Sequence, residues 1–172
     1  MQRGESPAIA ELIAAKQGIF LDVGCSDHKA PGSIGLDKRD VVGVDIVHDI
    51  EVTPWPLPDG CAYRILMSHV VEHLDPAHIV AIMDECWRVL RLEGQLYIAM
   101  PYAGSPRFWQ DPTHKHAWNE ATAFYFTPGH PLYEVYRPRP WAVDLCEWQS
   151  IGDLTVVFRK IEGTDGKTHA AR

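Results

Sequence analysis

Ile65-Leu66-Met67-Ser68-His69-Val70-Val71-Glu72-His73-Leu74 decides how the rest of the chain is read. An apolar run stops at Ser68-His69, and Glu72-His73 follow in a turn that leads toward a helix. An open α/β sheet shows polar groups in this way at the carboxyl end of a parallel strand, where such sheets bind their ligands. The strand is expected over Tyr63 to Ser68.

Downstream, Asp75-Pro76 is a cap followed by Ile79, Ile82, Met83, Cys86 and Leu90 at helical spacing. The pattern predicts a helix closed by Gly94, then a strand from Gln95 to Met100. Upstream, Thr53-Pro54-Trp55-Pro56-Leu57-Pro58-Asp59-Gly60 is a rigid loop, because its prolines remove donors and forbid helix. Ile19 to Val23 is a compact apolar run that meets Gly24, as a buried parallel strand meets a tight turn. Ile34 to Asp37 and Val44 to Val47 supply two further short strands, the second leading to Asp49. Only about ten residues join Gly24 to Ile34, the lower limit for a parallel crossover, so this connection must be reduced to a loop with one helical turn at most. Ser6-Pro7 followed by Ile9, Leu12 and Ile13 reads as a short helix ending before Gly18.

Residues 101 to 141 change character: they hold ten of the seventeen aromatics and seven of the thirteen prolines, so they are read as a lid or acceptor region inserted after the fifth strand. Ala142 to Trp148 and Leu154 to Ile161 then predict an antiparallel hairpin. The expected fold class is α/β, with a mostly parallel central sheet, an antiparallel C-terminal hairpin strand and helices on both faces. One domain over residues 1 to 161 with a polar, frayed tail over 162 to 172 accounts for the 172-residue length.

Net charge is -7 and offers no basic footprint for a phosphate backbone, so nucleic acid is not expected as a partner. Cys25, Cys61, Cys86 and Cys146 are scattered without a CxxC pair and read as reduced thiols of a cytoplasmic protein. No segment approaches the length that spans a bilayer, and neither export signal nor membrane anchor is apparent.

The strand-Ser68-His69-Val70-Val71-Glu72-His73-Leu74 pattern resembles the fourth-strand motif of class I S-adenosylmethionine-dependent methyltransferases. Leu21-Asp22-Val23-Gly24-Cys25-Ser26 is similar to their first motif, although Ser26 and His28 stand where second and third glycines are usual. Glu85 to Gly94 running into Gln95 to Pro101 looks like the helix-to-fifth-strand passage of these proteins, with Leu92-Glu93 in place of Pro-Gly. Gln110-Asp111-Pro112-Thr113-His114-Lys115-His116, Asn119 to Thr122 and Phe124 to Phe126 resemble a narrower subgroup of predicted methyltransferases of the type 11-like kind.

The resemblance implies a Rossmann-like class I methyltransferase fold that binds S-adenosylmethionine and releases S-adenosylhomocysteine. It would place Asp22, Gly24, Cys25, Ser26, Ser68 and His69 around the methionine part of the cofactor. Asp37 would take the ribose hydroxyls, and Asp49-Ile50 the adenine. Asp45 competes with Asp37 for the ribose by its distance of about twenty residues from Gly24, but strand order favours Asp37. A dinucleotide site would need G-x-G-x-x-G, and Ser26 and Lys29 occupy its second and third glycine positions. His69, Glu72 and His73 can be read either as metal ligands or as organisers of the turn, and the resemblance favours the turn.

Within the lid, Asp111, His114 and His116 should roof the site, with Tyr102 along the same opening. His114, then His116, is the candidate general base, because imidazole titrates near neutrality. Alternatively Asp111 to His114 is a hydrogen-bonded turn that supports an aromatic lid. The expected activity is methyl transfer to a small-molecule acceptor. A binding module without turnover, a sensor or partner subunit, is the competing reading, prompted by the missing glycines.

Overall fold

The computed structural model describes residues 10, 11 and 18 to 163. Ala10 and Glu11 are helical; the remainder of the helix predicted before Gly18 and the tail beyond Gly163 lie outside the described residues. Seven strands form one sheet: β1 (Ile19–Val23), β2 (Ile34–Asp37), β3 (Ile46–Val47), β4 (Ala62–Ser68), β5 (Leu90–Pro101), β6 (Trp141–Trp148) and β7 (Asp153–Lys160). Their order is β3-β2-β1-β4-β5-β7-β6. The first five are parallel, and β7 runs antiparallel between β5 and β6. The expected fold class, including the C-terminal hairpin, is the observed one. The strand order reverses between β1 and β4, whose connections lead toward opposite edges of the sheet, so the crevice of such a fold lies outside the carboxyl ends of these two strands.

The β1 to β2 connection contains no helix at all. Two tight turns suffice, with His28 N–H donating to the Cys25 carbonyl at 3.0 Å and Ser33 N–H to that of Ala30 at 3.1 Å. The β3 to β4 loop covers the sheet with side chains in place of a helix, burying Trp55 and Leu57. The longest helix among the described residues, α1 (Ile79–Val89), follows the 3-10 turns Val71–His73 and Pro76–His78. Asp75 caps the second turn by accepting from Ala77 N–H at 2.9 Å, and Ile79, Ile82, Met83, Cys86 and Val89 form the buried face of α1.

The predicted end of this helix at Gly94 is corrected. α1 stops at Val89, because Leu90 is taken into the sheet opposite Ala62. Residues 91 to 94 then bulge out before Gln95 rejoins the ladder opposite Arg64. Glu93 adopts φ 62° within the bulge. Helical periodicity through Leu90 could not show this, because Leu90 is buried in either conformation.

The region after β5 carries the short helices α2 (Pro106–Trp109), α3 (Glu120–Phe124) and α4 (Pro131–Tyr136). Its aromatic content is largely packing: Trp118 and Phe126 stack with centroids 5.9 Å apart, and both meet Phe158 of β7 edge-on. The chain then crosses the far side of α1, where Arg139 N–H donates to Asp84 and Trp87 Nε1 to the Pro140 carbonyl.

Candidate functional site

β1 closes on Gly24, which has φ 71° and gives its N–H to the Leu36 carbonyl. A Cβ on Gly24 would lie 2.5 Å from Val70 Cγ2, so backbone conformation and crowding both demand glycine. Beyond it the loop is held by two carboxylates from strand interiors. Asp22 accepts from Ala30 N–H at 2.7 Å, and Asp37 accepts from Ser26 N–H at 2.9 Å through one oxygen and from Arg39 N–H at 2.8 Å through the other. Both acids are buried. Burial raises the Asp22 carboxyl above its ordinary range, opposed by the Ala30 hydrogen bond and the Lys29 charge. Ser26 itself sits at φ 51°, so a serine holds a left-handed position that glycine would take without strain.

Asp45 lies beside this loop and serves a different purpose. Its Oδ2 accepts from Gly35 N–H and from Lys29 Nζ, each at 2.7 Å, joining the loop to β2. The far wall comes from the proline-rich loop: Trp55 Nε1 donates to the Ile50 carbonyl at 3.0 Å, which fixes Ile50 after the turn at Asp49.

Together these elements enclose a cavity of about 420 Å³ lined by Gly24, Asp37, Asp49, Ile50, His69 and His73, with Lys38, Arg39, Glu51 and Lys115 among its rim. That volume suits a cofactor-sized ligand. Of the residues singled out in the sequence for the cofactor, the structure brings Gly24, Asp37, Asp49, Ile50 and His69 around one cavity. Asp22, Cys25 and Ser26 shape the loop behind it, and Ser68 ends β4 next to His69. Burial and the carboxylates of Asp22 and Asp37 push the Cys25 thiol up to about 11, which leaves it without nucleophilic character at neutral pH.

His69 adopts φ 55° and donates its N–H to the Ala99 carbonyl, turning its ring between two acids. Nδ1 lies 3.2 Å from Glu72 Oε1 and Nε2 3.5 Å from Asp153 Oδ2, and Arg107 Nε reaches the other Asp153 oxygen at 3.2 Å. The contact with Glu72 raises the imidazole above its ordinary value; partial burial opposes this and the charges of Glu72 and Asp153 add to it.

The candidate bases His114 and His116, and Tyr102, expected along the same opening, are not among the residues that line the cavity. The His114 side chain is only 7% exposed, with Nδ1 2.7 Å from the Phe108 carbonyl. His116 Nδ1 accepts from Trp118 Nε1 at 3.1 Å, and burial lowers its imidazole. Tyr102 donates its hydroxyl to Glu120 at 3.2 Å and lines a separate hollow with Arg107 and Trp148. His73 and Lys115 reach the wall instead. The adjacency of Glu72-His73 to the end of β4 was the signal for His73; nothing local in the sequence singles out Lys115. The segment does cover the site in part, since Lys115 and His116 both give their N–H to the Glu72 carbonyl.

No family model matches the sequence, and no curated protein is similar to it. Solved structures are similar in fold. An S-adenosylmethionine-dependent methyltransferase from Archaeoglobus fulgidus aligns with a TM-score of 0.61 at 18% identity, over 89% of this chain and 93% of that one. A variant of the 16S rRNA (adenine(1408)-N(1))-methyltransferase from Catenulisporales acidiphilia aligns with a TM-score of 0.63 at 15% identity, over 92% of both chains. One from Methanosarcina mazei, also S-adenosylmethionine-dependent, gives 0.58 at 13% identity over 92% and 99%. At these identities the likeness is one of architecture, and the chain has the Rossmann-like fold of the class I S-adenosylmethionine-dependent methyltransferases.

Proposed function

We propose that this protein binds S-adenosylmethionine in the cavity at the carboxyl ends of β1 to β4 and transfers its methyl group to a small-molecule acceptor. The observation that carries the reading is the convergence of Gly24, Asp37, Asp49 and Ile50 on one cavity of a fold shared with such enzymes. The backbone at Gly24 allows close approach of the methionine part, flanked by Cys25, Ser26, Ser68 and His69. Asp37 accepts from the ribose, and Asp49-Ile50 meet the adenine. The resemblance of Asp111 to His116 to a narrower methyltransferase subgroup belongs to the same proposal.

The sulfonium is an activated donor, so the residues act chiefly by alignment and by exclusion of water. A base is needed only where the acceptor must lose a proton, and His114 and His116 remain the candidates within the segment that covers the site. An acceptor of small size suits a cavity partly covered by the chain's own residues. No helix among the described residues is long and apolar enough to cross a membrane.

Calorimetric titration with S-adenosylmethionine, S-adenosylhomocysteine and NAD tests the reading. One saturable site for the sulfur compounds with NAD silent is the expected result, and absence of binding by folded protein would sink it. Binding without transfer to any acceptor would favour the sensor or partner-subunit reading. Asp37→Ala should weaken S-adenosylmethionine binding roughly 10- to 100-fold, the loss of about 1.5 to 3 kcal/mol in hydrogen bonds to a charged acceptor. Asp45→Ala, which removes the bonds to Lys29 and Gly35, should cost about 1 kcal/mol of stability in urea and leave the affinity within about threefold. The reverse order of affinities would assign the ribose to Asp45.

A further inference from the structure

We propose that Glu72, His73 and His114 form a binding site for a divalent first-row transition metal at the edge of the cavity. One ligand atom from each residue lies within 4.8 Å of the others. Around a tetrahedral ion with bonds of about 2.1 Å the ligand atoms stand roughly 3.4 Å apart, so binding closes the triad by about an ångström.

The carboxylate is the first reason to expect an ion. Glu72 is fully buried, and neither of its oxygens makes a hydrogen bond among the described residues. Its side-chain contact is the 3.2 Å ion pair with His69 Nδ1. The ion pair engages Oε1 alone, and a buried carboxylate oxygen with no partner is costly, a cost that a metal ion would relieve.

The histidines are the second reason, because both are arranged as metal ligands are. Thr113 gives its hydroxyl hydrogen to Asp111 Oδ1 at 2.7 Å, so towards His73 Nδ1, 3.1 Å away, the same oxygen can only accept. His73 therefore carries its hydrogen on Nδ1 and keeps a lone pair on Nε2. His114 Nδ1 lies against the Phe108 carbonyl, which can only accept, so His114 likewise keeps its lone pair on Nε2. Metal-binding histidines are commonly fixed in this manner, with the second nitrogen donating to a carbonyl or other oxygen. Asp111 Oδ2, 3.7 Å from His114 Nε2, borders the site. Two imidazoles and a carboxylate suit zinc or iron(II) with a coordination position left open.

The site joins the turn after β4 to the segment that covers the cavity. Its metal would tie Asp111 to His114 to the wall that His73 shares with the proposed cofactor cavity. The metal site does not rest on the methyl-donor reading, since none of its ligands is assigned to the cofactor; a metal on His114 leaves His116 as the candidate base.

The test uses the full chain freed of metal, titrated with Zn²⁺ against a chromophoric chelator and with Co²⁺ by visible absorption. One equivalent of Zn²⁺ at submicromolar affinity, a rise in melting temperature and a Co²⁺ spectrum of low coordination number are expected. His73→Ala, at a half-buried position that should leave the fold intact by circular dichroism, should weaken binding at least 10-fold. Glu72→Gln and His114→Ala should do the same. Thr113→Val, which removes the hydroxyl that links His73 to Asp111, should weaken it roughly 10-fold. His28→Ala, on a ring 88% exposed and outside the triad, should change nothing. Failure of folded protein to bind Zn²⁺, unchanged affinity in His73→Ala, an equal loss in His28→Ala, or thiolate charge-transfer bands from Co²⁺ would each overturn the proposal.

Discussion

Gly24→Ala should destabilise the protein by about 2 to 5 kcal/mol and remove detectable cofactor binding with it. Two costs combine. Alanine at φ 71° leaves the favoured regions, at about 1 to 2 kcal/mol for a left-handed L-residue. The added methyl meets Val70 Cγ2 at 2.5 Å and Cγ1 at 3.1 Å, and overpacking of this kind costs about 1 to 3 kcal/mol. Rotation of Val70 gives no relief, because its two methyls flank the same space and a β-branched side chain is stiff at χ1. Urea unfolding and titration with S-adenosylmethionine measure the two consequences separately. The double variant Gly24→Ala with Val70→Ala should recover the packing part and leave the conformational part. A double variant no more stable than the sum of the singles would show that the clash is not what makes alanine costly there.

Glu85→Ala should cost about 2 to 4 kcal/mol, although Glu85 is not among the residues that line the cavity. Glu85 is buried and accepts from Trp55 N–H at 2.6 Å and from Arg88 through Nη2 at 2.6 Å and Nε at 2.9 Å. Removing one member of a buried pair costs about 3 to 5 kcal/mol because its partner is left uncompensated. The figure is reduced here because Arg88 is a quarter exposed and keeps Asp59. The Arg88 guanidinium is held further toward its charged form chiefly by Glu85, which fits the same pairing. Loss of Glu85 also frees the Trp55 backbone, and Trp55 anchors Ile50 at the cavity wall. Cofactor affinity should therefore fall together with stability. Asp59→Ala, at a side chain 82% exposed, should leave urea unfolding nearly unchanged. Equal effects of the two substitutions would place the energy in the exposed pair and not in the buried anchor.

Much of this architecture could be read before any coordinates. The apolar runs at Ile19, Ile34 and Tyr63, each followed by glycine, acid or serine, are strands whose ends carry polar groups, because burial on both faces requires such runs. The terminal hairpin was legible for a similar reason, since its short Gly-Asp turn leaves no room for a crossover. The end of α1 was not legible. Leu90 satisfies helical spacing and sheet burial equally, and pairing with Ala62 settled the matter. The first crossover, expected to have at most one helical turn, has none, because Asp22 and Asp37 hold its backbone from within the strands.

From the sequence by itself came the α/β class, the strand order's consequence for Asp37 over Asp45 as the acid at the end of β2, and the glycine at the first turn. These follow from periodicity and turn chemistry, which act over a few neighbours along the chain. Only the tertiary structure decided that Glu72 and His73 meet His114 some forty residues away, that Tyr102 faces Glu120, and that Glu85 holds Trp55 from thirty residues downstream. Those meetings depend on how loops close over a finished sheet. Many different closures are compatible with the same local pattern, and long-range packing selects among them.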